Sequence, residues 1–177
     1  DPNFIDNIKF FLGYQVYYMY LRYFLWNYSG RQNDMQGNSV SDVRDGNWIT
    51  GISFIDNFMY GDQSLMPQAL KDNKAHNVMF ALPLILGLIG MFYQFKRKGD
   101  DGLITFLLFF MTGFAIVMYL NQAGNEPRER DYAYAGSTYA FAIWIGIGVF
   151  KVRDWFQKIS NQKVATTLAG VVCLLAV

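Results

Sequence analysis

The sequence has one cysteine, Cys173, and one histidine, His76. A lone cysteine excludes an internal disulfide and any metal site built on thiolates. A lone histidine with no second His or Cys reads as a polar boundary residue rather than a ligand, so no metal is expected. Charge is scarce as well: 16% of the residues are charged, against about 25% in an average soluble domain. The 15 basic and 14 acidic residues leave a net charge of +1. No global basic field draws nucleic acid, and no nucleic-acid motif occurs. A phosphate-binding P-loop, a dinucleotide fingerprint and a Ser-His-Asp pattern are all missing. Asp42, Asp45, Asp56 and Asp62 lack the spacing of a calcium loop and read as solvated acids.

What the chain has instead is apolar sequence, 53% of it, with 18% aromatic residues. These residues gather in blocks close to the roughly 17–25 residues that a bilayer-spanning helix requires. Residues 77–95 and 102–120 carry no charge and read as spanning helices. Residues 137–150 make a third, short enough to extend at both ends. Residues 164–177 begin a fourth. Pro83 lies inside the first, where neighbouring helices must satisfy the freed carbonyl. Gly87 and Gly90 offer close-approach points, as do Ala142 and Gly146, four apart on one face. The chain opens on Asp1-Pro2 without an initiator Met or signal peptide. It stops at Ala176-Val177 inside an apolar run, which predicts an internal piece of a longer protein.

The first block, residues 4–28, differs in kind. Tyr14, Tyr17, Tyr18, Tyr20, Tyr23, Trp26 and Tyr28 crowd it, and Lys9, Gln15 and Arg22 interrupt it. Tyr and Trp favour the headgroup level, where one end of the ring is apolar and the other wet. This density suits a helix lying in the interface; an ordinary spanning helix is the alternative. Residues 29–76 are polar and too long for a plain connection, so short helices and turns are expected, one opened by Pro67. Gly30 fits the end of the aromatic helix, with Arg31 and Asp34 as a local ion pair. Gly46-Asn47-Trp48 reads as a turn.

Cytoplasmic loops are enriched in Lys and Arg. Residues 96–101 hold three in six positions, and the amphipathic link 151–163 holds four in thirteen. Residues 29–76 hold four in forty-eight, and 121–136 two in sixteen. The first pair is therefore expected in the cytoplasm and the second pair outside, in the periplasm if the membrane is a bacterial inner membrane. The three intervening spans supply the alternation.

The densest charge lies in the second outward loop, Glu126-Pro127-Arg128-Glu129-Arg130-Asp131-Tyr132. Charged groups held at membrane level mark sites or pathways. Arg128 and Arg130 can clamp a phosphate bidentately, with Glu129 or Asp131 pairing with them or acting as a base. A solvated loop with weak local salt bridges is the alternative.

The runs Met19-Tyr20-Leu21-Arg22-Tyr23-Phe24-Leu25-Trp26-Asn27, Gly30-Arg31-Gln32-Asn33-Asp34, Gly46-Asn47-Trp48-Ile49, Phe109-Phe110-Met111-Thr112-Gly113, Tyr119-Leu120-Asn121-Gln122 and Pro127 to Ser137 resemble a bacterial multi-pass membrane family. That family was first catalogued as a domain of unknown function and is now described as protein O-mannosyltransferase-like. The resemblance covers nearly the whole chain. It implies an all-α polytopic membrane bundle, part of a larger type-C glycosyltransferase-like fold. Such an enzyme passes a sugar from a polyprenyl-phosphate carrier to an acceptor protein on the outer face; a membrane transporter, disfavoured by spans without charge, and a non-catalytic membrane assembly subunit are the alternatives. The family's presumed catalytic acid lies in a Trp-Asp-x-Gly-Glu-type stretch that this sequence lacks, so the piece alone is expected to be inactive. Donor-phosphate binding falls to Arg128, Arg130 and, more weakly, Arg31. Glu126, Glu129, Asp131, Tyr132, Tyr134 and Asp34 are expected to support them. The expected partners are membrane lipid, the lipid-linked sugar phosphate and the acceptor; no further cofactor is implied.

Overall fold

A computed structural model describes residues 3–37, 42–124, 131–159 and 161–175. The chain is mostly helical. The aromatic block is one unbroken rod: α1 (Phe4–Phe10), a π-helical stretch (Phe11–Leu21) and α2 (Arg22–Tyr28). Asn3 and Asp6 form a reciprocal capping box at its start. The polar region holds β1 (Gly30–Arg31), α3 (Ser53–Tyr60), a short 3-10 turn (Gln63–Leu65), α4 (Gln68–Lys71) and β2 (Asn77–Val78). Pro67 stands immediately before α4, as its sequence position suggests. Then come α5 (Leu82–Arg97), α6 (Gly99–Thr112), α7 (Phe114–Leu120), a 3-10 turn (Asp131–Tyr134), α8 (Ala135–Gln157) and α9 (Gln162–Leu175).

Among the described residues, two helices are long and apolar enough to cross a membrane: Gly99–Leu120, of 22 residues, and Tyr132–Gln157, of 26. At a rise of about 1.5 Å per residue, each exceeds the ~30 Å of a hydrocarbon core. Their apolar windows are only 17% and 33% buried. Ile104, Leu107, Met111 and Phe150 face outward, whereas a core helix of a soluble fold would bury its apolar stripe.

Several expectations from the sequence change. The helix expected at 77–95 starts later and ends later, at Leu82–Arg97, and at 16 residues it falls short of the two long apolar helices. Asn77 and Val78 are drawn into an antiparallel ribbon with Arg31 and Gly30, and Phe80 and Ala81 then turn the chain in left-handed conformation. The all-α expectation therefore acquires a two-stranded ribbon. Pro83 falls in the first turn of α5, where its missing N–H costs nothing and no kink is needed. The helix expected at 137–150 extends at both ends, as its short length suggested, but residues 151–157 are its last two turns rather than part of a link.

α5 and α8 run in the same direction and touch backbone to backbone. A Cβ on Gly90 would run into the Trp144 carbonyl, and one on Gly148 into the Leu86 carbonyl. Gly87 lies against the Phe141 ring. The small residues of α8 that matter are thus Gly148 and Ala140, in a buried row with Trp144 and Val152. Ala142 and Gly146 are exposed, and a Cβ on Gly146 would meet nothing. Positions 146 and 148 are two apart and so face nearly opposite ways.

α6 runs antiparallel to both, as Gln94–Thr105 and Phe109–Trp144 contacts show. One polar chain ties the three: Trp144 Nε1 donates to Gln94 Oε1 at 2.7 Å, and Gln94 Nε2 to Thr105 Oγ1 at 3.2 Å. The aromatic rod packs on this bundle through Phe24 and Tyr28, whose rings lie 4.9 and 4.7 Å from Phe141. Gly113, between α6 and α7, leaves room for the Tyr20 hydroxyl. α9 covers the far side through Ala165 and Ala169.

Gly90→Val should lower the thermal unfolding midpoint in detergent by about 5–10 °C, since overpacking at a fixed backbone costs about 3 kcal/mol. Gly146→Ala should leave the midpoint unchanged or raise it slightly. A tolerant Gly90 would mean that α5 and α8 are not in contact there.

Candidate functional site

The polar residues between the aromatic rod and α5 fold into a platform around buried amides. Asn33 is fully buried; its Oδ1 accepts from the Gly46 and Met35 amides at 2.8 and 3.1 Å, and its Nδ2 donates to the Arg44 carbonyl at 2.7 Å. Gln32 donates through Nε2 to Gln63 Oε1 at 2.8 Å and to the Val43 carbonyl at 3.1 Å, and accepts from Asn47 Nδ2 at 3.1 Å. Each amide works as donor and acceptor at once, which a hydrocarbon side chain could not do. Gly46 sits at φ +63, where a Cβ would strike the Met35 carbonyl.

The rod stiffens the platform from below with a ladder of rings four residues apart. Phe10, Tyr14 and Tyr18 stack at 5.1 and 5.5 Å. The Arg22 guanidinium lies 3.7 Å from the Tyr18 centroid and 4.6 Å from that of Trp26. Arg22 is 4% exposed and donates to the Tyr18 and Gly46 carbonyls. Burial of a guanidinium is tolerated where rings and carbonyls receive it.

A cleft of about 450 Å³ opens on the platform, lined by Gln32, Asp56, Asn57, Asp62, Gln63 and His76 among others. His76 Nδ1 lies 2.9 Å from the Gln32 carbonyl. A carbonyl only accepts, so Nδ1 carries the proton in the neutral ring and Nε2 is left as the acceptor. Asp56 is 4% exposed and takes the Thr50 amide, the Thr50 hydroxyl and the Gly51 amide at 2.7–2.8 Å. It is a clamp for the cleft wall and not the solvated acid its sequence position suggests. Asp62 caps the 3-10 turn by accepting from the Ser64 amide at 2.9 Å, and hydrogen bonding from Ser64 holds its carboxyl below the usual carboxylate range. Burial pushes the Tyr60 phenol well above its ordinary value. Among the described residues no group of three His, Cys, Asp or Glu side chains could hold a metal.

The residues singled out from sequence distribute unevenly. Arg128, Arg130, Glu126 and Glu129 lie outside the described residues. Asp131 opens the 3-10 turn before α8. Tyr132 is exposed, while Tyr134 is buried, wedged edge-on against Tyr20 at 5.5 Å with its hydroxyl donating to Gln122 Oε1. Arg31 and Asp34 do not pair. Arg31 packs on Trp26 at 4.2 Å and donates from Nε to the Asn33 carbonyl; Asp34 accepts from Asn73 Nδ2. A planar guanidinium gains more from a ring and a carbonyl than from a flexible exposed acid. Gln15, on the rod, donates to Asn121 Oδ1 and to the Gln122 carbonyl at 3.0 and 2.7 Å. The start of the 121–136 loop is thereby fixed within one turn of Tyr18, whose hydroxyl donates to the Gly37 carbonyl. Gln32, Asp56 and His76 as cleft residues escape sequence reading, because their partners lie up to forty-four positions away and no local spacing announces them. No protein-family model, curated protein or solved structure matches the chain.

Asp56→Ala should loosen residues 50–66 and destabilise the platform by about 2–4 kcal/mol, from hydrogen bonds to a buried charge. Limited proteolysis should then cut in this segment at low protease, where the parent chain resists; equal resistance would remove the clamp. The Asp62 cap behaves differently with pH. Its folded carboxyl is more acidic than the unfolded one, so its contribution is complete above the ordinary value of about 3.9. It is lost only as pH falls through the lower folded value. The Ser64 amide shift in NMR should therefore be flat between about pH 5 and 8, and a transition inside that window would contradict the assignment.

Proposed function

We propose that the chain is the outward-facing, substrate-handling part of a multi-pass integral membrane glycosyltransferase. It transfers a sugar, mannose by family resemblance, from a polyprenyl-phosphate carrier to protein Ser or Thr. The observation that carries the reading is the docking of both polar segments on one aromatic rod: Gln15 holds Asn121 and Gln122, and Tyr18 holds Gly37. Asn121 and Gln122, with which the second polar segment opens, are thus tied to the rod that also carries the platform, and they follow directly on a helix suited to hydrocarbon.

The chemistry asks for those neighbours. In the donor, a sugar is joined to a lipid phosphate at headgroup level. As the sugar–oxygen bond breaks, negative charge grows on the phosphate, and guanidinium groups held nearby stabilise it. Arg128 and Arg130 take that role. Arg31 is a weaker candidate, because its guanidinium is already spread on Trp26. The cleft, walled by amides and carboxylates, takes the acceptor segment. The acceptor hydroxyl loses its proton to a base; the family resemblance puts that carboxylate in sequence outside this chain. α5, at 16 residues, is read as a third crossing, with its basic C-terminal turn in the cytoplasm of a bacterial cell and residues 29–76 and 121–136 in the periplasm.

Replacing Arg128 and Arg130 together by Ala in the full-length protein should reduce transfer from a polyprenyl-phosphate sugar by about a hundredfold to a thousandfold while the folded yield stays constant. Unchanged turnover and donor affinity would remove the role. Orientation is tested separately with Cys173→Ala combined with Asn125→Cys. A membrane-impermeant maleimide should label this thiol in intact spheroplasts, and labelling only after lysis would invert the topology.

A further inference from the structure

At the end of the bundle away from the platform, α5 and α8 leave a groove of about 710 Å³, lined by Ile89, Phe92, Tyr93, Lys96, Arg97, Lys151 and Trp155. Its chemistry changes along its length. Ile89 and Phe92 form an apolar floor nearer the middle of the helices. One turn further, three cations gather. Lys151 Nζ stands 5.0 Å from the Tyr93 ring and 5.6 Å from the Trp155 ring. Arg97 Nη1 donates to the Tyr93 hydroxyl at 2.7 Å, and that hydroxyl donates to Asp154. None of Lys96, Arg97 and Lys151 forms an ion pair with a described carboxylate; the nearby Lys98–Asp101 pair uses a different lysine.

We infer that this groove binds an anionic phospholipid, its phosphate held by Lys96, Arg97 and Lys151 and one acyl chain laid on Ile89 and Phe92. Three cations line the groove with one carboxylate, Asp154, reached only through the Tyr93 hydroxyl, and that excess of positive charge calls for an anion. An apolar trough running from them toward the helix middles calls for a hydrocarbon tail on the same molecule. Tyr93 and Trp155 sit at the boundary, where amphipathic rings belong. Basic pockets between helix ends at a membrane surface favour anionic headgroups over zwitterionic ones, and the C-terminal end of α5 adds no positive field of its own, so the side chains carry the attraction. The inference rests on the membrane-spanning reading of α8 but not on sugar transfer.

The test uses the chain reconstituted in nanodiscs of phosphatidylcholine doped with tail-brominated phosphatidylglycerol or tail-brominated phosphatidylcholine. Bromine quenches tryptophan on contact, and the difference between the parent chain and Trp155→Phe isolates Trp155. Brominated phosphatidylglycerol at a few per cent should quench Trp155 selectively. Each cation neutralised should weaken that preference about fivefold, so Lys151→Gln gives a partial loss and Lys96→Gln with Arg97→Gln and Lys151→Gln abolishes it. Equal quenching by both lipids would overturn the inference while leaving the membrane reading intact. Quenching by neither would overturn both. Full competition by millimolar inorganic phosphate would show a free-anion site and overturn the lipid assignment.

Discussion

The contact between α5 and α8 at Gly90 and Gly148 is the constraint from which the rest of the bundle follows. With no side chain at either point, the two backbones meet directly. Gln94 then reaches the Trp144 indole, which in turn leaves Gln94 its amide for Thr105 on α6. The same approach turns Phe141 and Trp144 toward Phe109, Phe24 and Tyr28, making the ring cluster on which the aromatic rod sits. At the opposite end it carries Lys151 over Tyr93. Where lipid tails are as apolar as leucine, helices gain little by hiding leucines from one another. Close packing and shared hydrogen bonds then decide which faces meet.

The polar half is organised by a different rule. Gln32, Asn33 and Asn47 are buried in a region with few apolar side chains to spare. They replace a hydrophobic core with a network in which nearly every amide group has a partner. Such networks are specific because each partner left alone would be costly. Arg22 extends the network into the rod by joining the Tyr18 carbonyl, the Gly46 carbonyl and two rings. Loops built this way hold their shape through hydrogen bonds where a hydrophobic core would otherwise be needed.

Much of the helical half was legible in the sequence. Uncharged runs at 102–120 and 137–150 marked the two long apolar helices, and Gly87 and Gly90 marked where α5 is approached. What was not legible depended on distance or phase. Asn77 and Val78 look like the start of an apolar helix until Gly30 and Arg31, more than forty residues earlier, claim them as a strand. α8 carries small residues on two faces. The choice of Gly148 over Gly146 depends on how α5 crosses it, which no single segment encodes. Asp56 resembled any surface acid because its partners at Thr50 and Gly51 form no named motif. The Arg31–Asp34 pairing failed because sequence proximity says nothing of the Trp26 ring that intercepts the guanidinium.

The Ser29 carbonyl has a further consequence. It accepts from the amides of both Met79 and Ala81, at 3.1 and 3.5 Å, so the rod's last turn and the entry to α5 are riveted at a single oxygen. The Ser29 hydroxyl simultaneously secures the Ile49 carbonyl. One residue thus anchors the end of the rod, the entry to α5 and the Ile49 segment, so that a displacement of Ser29 is passed to all three at once.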